Sequence, residues 1–205
     1  LEGEYGQDLS DMLLLDRDKK KDPDKVCLHH GEGEVYRGEH GGFLMEEEFL
    51  KALEKNDITR AEDILEDMKE KMPRTRFLYL EGLLHEKLGD LEEALKKFDM
   101  ALVLHLSDHT LWMAKARTLL ELESLDMAKR AAERACRLKN EDPDAHLLLS
   151  EILYRMKEYP NAEKEIDSSL NIGKKSAPAL TLKGILVSIN KQDYRLALTY
   201  FDSAI

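Results

Sequence analysis

Ala94, Ala128 and Ala162 stand 34 residues apart, with Ala61 33 residues before them and Ala197 35 residues after. An apolar residue sits three places before each: Ile58, Leu91, Leu125, Tyr159 and Tyr194. Four places after come Leu65, Phe98, Ala132, Ile166 and Phe201, and seven places after come Met68, Ala101, Ala135, Ser169 and Ala204. Steps of three and four put each set on one stripe of a helix. Twelve or thirteen places before the alanines stand Gly82, Ala116, Ser150 and Gly184, small enough to let a second helix cross closely; Phe49 takes that place in the first copy. A helix pair of this length cannot bury its apolar face alone, so its copies must stack on one another.

The copies divide the chain into units of about 43–74, 75–108, 109–142, 143–176 and 177–205, the last cut short. Gly89-Asp90 marks a turn inside a unit, and Pro73 and Pro143 mark joins between units, where proline ends one helix and starts the next. Runs dense in β-branched residues are few, so strands are not expected to dominate. The chain begins at Leu1 and runs to Ile205 inside an apparent helix, which leads us to expect a longer parent protein.

Residues 1–41 read differently, as an acidic, Gly-rich tail or linker that is partly disordered or docked. Leu9, Met12, Leu13, Leu14 and Leu15 form a short apolar cluster able to dock on the repeats or on a neighbouring molecule. The alternating acids of 16–24 lack the glycine and closing glutamate of a calcium loop, with Lys21 and Cys27 in those places. Cys27, His29, His30 and His40 match no structural zinc spacing. Val26-Cys27-Leu28 and Val35-Tyr36 suggest a small hairpin.

A net charge of −11 argues against nucleic acid as a partner, since phosphate binding needs clustered cations. The two cysteines, Cys27 and Cys136, show no disulfide framework, which points to a reducing, cytoplasmic compartment. No run reaches the length of a membrane span. The common nucleophile, phosphate-loop, zinc-protease and dinucleotide motifs are missing, and no cofactor or metal is expected. His85, His105, His109 and His146 are scattered; Ser107-Asp108 reads as a turn and helix cap that separates His105 from His109. Cys136, one residue past core Ala135, reads as a small buried hydrophobe.

From about Phe43 to Ile205 the pattern resembles the tetratricopeptide repeat, with Lys87–Leu104 its best match. The aromatic of the first helix appears only as Trp112, and Phe49 departs from the small-residue rule. The resemblance implies an all-α, right-handed superhelical solenoid of antiparallel helix pairs. It implies a non-enzymatic scaffold or adaptor that takes a peptide or protein segment in its concave groove. By register the groove candidates are Arg76, Tyr79 and Leu83, then Met113, Arg117 and Leu120, then Leu147, Glu151, Tyr154 and Arg155. The Lys and Asn residues with which some members grip chaperone tails are missing from these places, so an apolar-anchored segment is expected instead. Two alternatives remain: self-assembly, through the 9–15 segment or an apolar end face of Ile185, Val187, Ile189 and Phe201, and a regulatory role within a larger enzyme or complex.

Overall fold

The structure, a computed structural model, describes residues 40–173 and 175–205. The expected hairpin at 26–36, the 9–15 cluster and most of the tail lie outside the described residues. Among the described residues there are ten helices and no strands. They pair as α1 (His40–Glu54) with α2 (Ile58–Met68), α3 (Arg74–Leu88) with α4 (Leu91–Leu104), and α5 (His109–Glu121) with α6 (Leu125–Leu138). The last two pairs are α7 (Pro143–Arg155) with α8 (Tyr159–Ile172), and α9 (Ala177–Asn190) with α10 (Tyr194–Ala204).

The turn inside each pair repeats one backbone device. A residue with positive φ ends the first helix: Asn56, Gly89, Glu123, Lys157 and Gln192. In the first four pairs the next amide closes a wide turn back onto the first helix, Asp57 to Ala52, Asp90 to His85, Ser124 to Leu119 and Glu158 to Leu153, each at 2.9 Å. This is the left-handed helix stop that caps carbonyls otherwise left unpaired. Only Gly89 meets the conformation without a Cβ penalty, and a Cβ there would touch nothing within 4 Å. Gly89→Ala is therefore expected to cost about 1 kcal/mol through backbone strain alone, and Lys157→Gly to gain about 0.5 kcal/mol, both read from urea midpoints. A neutral Gly89→Ala would contradict this reading of the turn.

Helix starts follow side-chain caps. Asp57, Asp108, Asp142, Ser176 and Asp193 each accept a hydrogen bond from an amide of the first turn. Asp108 accepts from Thr110 at 2.8 Å and His105 caps the end of the preceding helix, so His105 and His109 share no helical face.

The repeated small and large residues meet as partners. A Cβ on Gly82 would lie 2.3 Å from Cε1 of Phe98, and one on Gly184 would lie 2.6 Å from Cε1 of Phe201. In the first unit both positions are large. Phe49 on α1 is fully buried with Leu65 and Met68 of α2, so the departure at Phe49 is absorbed by repacking. The third unit is built on alanine: Ala128, Ala131, Ala132 and Ala135 are all buried against α5 and α7. Each unit's second helix also packs on the first helix of the next unit. First helices touch one another directly, α5 with α7 and α7 with α9, and so form an inner row behind which the second helices stand.

Candidate functional site

The inner row carries all ten groove candidates, but it treats them unequally. Arg76 on α3 reaches back to Glu46 of α1, donating from Nε at 3.1 Å and from Nη2 as well, and its guanidinium lies 4.7 Å from the ring centroid of Tyr79. Tyr79 packs at 6.1 Å on Phe98. Burial pushes its hydroxyl pKa up, opposed by Arg76 and Arg117. Leu83 packs between the first two cores. Glu86, one turn on, accepts a 2.6 Å hydrogen bond from Thr118 of α5, and burial raises its carboxyl against the pull of that bond and of Arg117. On α5, Met113 is half-buried and Arg117 exposed. Leu120 lies in the central core, so it supports the wall rather than offering surface. This end of the row is largely closed on itself.

The other end is open. A cleft of about 480 Å³ runs between α7 and α9. Leu147, Glu151, Tyr154 and Arg155 line one wall, and Ala177, Pro178, Thr181, Leu182 and Ile185 the other. Tyr154 is braced by Tyr159, with ring centroids 5.9 Å apart. Arg155 is exposed and Glu151 half-buried, and neither has an ion-pair partner among the described residues. Four of the ten candidates thus share one cleft, while Arg76, Tyr79 and Leu83 sit apart from it. Thr181 and Ile185, the latter expected on the end face, are not among the ten groove candidates, yet they stand 34 residues after Leu147 and Glu151 and follow from the same period. Glu46 and Glu86 were missed because only a structure shows which charges cross between helices.

The fifth unit differs from its expected end face. Val187 is fully buried, Phe201 covers Gly184, and Ile185 faces the cleft. The exposed large apolar residues there are Ile189 on α9, Tyr194, Leu196 and Leu198 on α10, and Ile205 after it.

No group of three or more metal-ligating side chains occurs among the described residues. The Cys136 thiol is pushed up to about 11 by burial and by Glu165 and Asp142, so it stays protonated and packs as an apolar group. His146 is buried, with Nδ1 2.7 Å from Glu165 and Nε2 3.0 Å from the Asn140 carbonyl, a contact that joins α7 to α8. No described helix is long and apolar enough to cross a membrane.

A family model described as Tetratricopeptide repeat matches residues 47–108 and 113–178. The chain belongs to the tetratricopeptide repeat family. Its fold is the right-handed superhelical solenoid of that family, and the array is a protein-interaction scaffold of a kind that is generally non-enzymatic. Solved structures agree on the fold. MamA of Desulfovibrio magneticus RS-1 (residues 41 to the end) is 17% identical, with a TM-score of 0.64 over 82% of this chain and 94% of that one. A second MamA structure gives 19% identity and 0.62 over 75% and 90%. A chain of the APC/C hetero-tetramer Cut9–Hcn1 gives 18% and 0.69 over 76% of this chain and 30% of its own. No curated protein matches the sequence.

Proposed function

We propose that this tetratricopeptide array is an adaptor that holds a segment of a partner protein in the cleft between α7 and α9. The observation that carries the reading is the unequal wiring of the inner row. At the α1–α3–α5 end Glu46 engages Arg76 and Thr118 engages Glu86, with Arg117 the one exposed candidate charge left over, whereas Glu151 and Arg155 both stand without an ion-pair partner beside an apolar wall of Leu147, Pro178, Leu182 and Ile185. An apolar anchor can seat on that wall while flanking charges of either sign find Arg155 or Glu151, which is the recognition mode of extended and helical segments. Tyr and Arg are the side chains that most often dominate such interfaces.

Peptides selected from a random display library on the folded chain test this. Tyr154→Ala with Arg155→Glu is expected to weaken the selected binders at least tenfold. Tyr79→Ala with Arg117→Ala should matter less, since those residues lie at the closed end. Full affinity in a well-folded Tyr154/Arg155 double variant would overturn the assignment to this cleft.

A further inference from the structure

The third unit carries a second cleft. It measures about 350 Å³ and is walled by α5 and α6. Its floor is apolar: Leu119 and Ala131 are buried beneath it, and Trp112 and the exposed Met127 flank it. The Trp112 ring is fixed by its Nε1 donating 2.9 Å to the Leu106 carbonyl and by Lys115 Nζ 5.6 Å from its centroid. Lys115 is itself engaged, 2.5 Å from Asp99 of α4.

The rim is basic. Arg130, Arg134 and Arg137 all border the cleft from α6, at steps of four and three that place them on one stripe, running roughly 10 Å along the helix. Arg137 has a loose 3.9 Å pair with Glu133. Arg130 and Arg134 are exposed and have no ion-pair partner among the described residues. Three aligned cations bordering one apolar floor stand out on a chain of net charge −11. Like charges so placed repel one another and destabilise the helix slightly, a penalty that an incoming anion removes.

We propose that this α5–α6 cleft docks an acidic segment of a partner protein, with one apolar side chain on the Trp112–Met127 floor and carboxylates on Arg130 and Arg134. The site is separate from the α7–α9 cleft and independent of that reading. The apolar floor favours a peptide over nucleic acid: three arginines make too small a phosphate-binding track, and the net negative charge opposes it. Carboxylates of acids two apart in an extended segment or four apart in a helical one lie about 6 Å apart, which suits the rise from Arg130 to Arg134.

Trp112 is the chain's single tryptophan, so its emission reports on this cleft directly. The probe is a short end-blocked peptide of glutamates with one central leucine, set against the same peptide with lysines for glutamates. The expected result is a saturable change in Trp112 emission with the acidic peptide only. Affinity should fall with added salt and at least tenfold in Arg130→Glu/Arg134→Glu, or in Arg130→Gln/Arg134→Gln should the first fold poorly. Arg195→Glu, an exposed change on α10 outside both clefts, should give the same Trp112 response as the unaltered chain. The proposal is overturned if emission stays flat up to about 1 mM peptide, if a folded double variant binds equally, or if single-stranded DNA or anionic vesicles bind this cleft more tightly than the acidic peptide.

Discussion

Gly82→Val is expected to destabilise the array by about 2–3 kcal/mol, as a lowered urea midpoint with an unchanged slope. A Cβ at Gly82 would come within 2.3 to 2.7 Å of three atoms of the Phe98 ring. Phe98 cannot step aside. It is fully buried among Leu78, Ala94, Ala101, Leu102 and Leu111, with Tyr79 against it. The better helix propensity of valine over glycine returns only about 0.5 kcal/mol, so the clash wins. Phe98→Ala alone opens a cavity and should cost about 3–5 kcal/mol. The double variant should cost clearly less than the two singles together, by at least about 1 kcal/mol, because valine then fills space that the ring has left. Strict additivity would show that the two residues do not share this space. Gly184→Val, facing the half-exposed Phe201 on the last described helix, should be milder.

Lys183→Ala should cost about 2–3 kcal/mol and loosen α9 and α10 before the rest of the array. The Lys183 side chain is 5% exposed, 3.0 Å from Glu163 and 2.7 Å from Asp167, and so ties α9 to α8. Burial by itself lowers the pKa of this amine, but the bonds from Asp167 and Glu163 outweigh it and the net shift is upward. Alanine leaves Glu163 with Lys191 at 2.8 Å and Asn190 at 3.0 Å, while half-exposed Asp167 returns to water, which keeps the loss at the low end for a broken buried pair. Hydrogen exchange should show the drop in α9 protection; equal protection in both proteins would refute the role.

The same cluster sets an acid limit. Burial pushes the Glu163 carboxyl up, but hydrogen bonds from Lys191, Lys183 and Asn190 prevail and hold it at about 2, against an ordinary 4.5. A depressed carboxyl contributes stability above its unfolded value and loses it as pH falls toward the folded one. Melting temperature should therefore decline between about pH 4.5 and 2, and decline less steeply in Lys183→Ala.

Much of the fold is legible in particular residues. The alanines at 94, 128 and 162 fall on the second helix of their units and are fully buried, because a helix of fixed pitch stacked on its copies must return a small residue to the same crossing point. Gly89 and Asp108 announce local stops and starts, since their reasons lie within a few residues of backbone. Phe49 was harder to place. A large side chain at a small-residue position is a fault by pattern alone, and only its packing with Leu65 and Met68 shows the volume being redistributed. Candidate groove residues follow the register onto the first helices of their units, yet register says nothing of which of them are already engaged. Arg76 and Arg155 look alike as letters; one is clamped by Glu46 and the other faces an open cleft.

What the sequence by itself determined was the repeating unit, its helices and the face each buries, because periodicity of apolar and small residues acts locally and identically in every copy. What only the tertiary structure decided was where charge and space are left over. Glu46 lies 30 residues from Arg76, Glu163 20 from Lys183, and the two walls of the α7–α9 cleft belong to different units. Such pairings depend on which helices come to lie side by side, and that is settled only when the units stack.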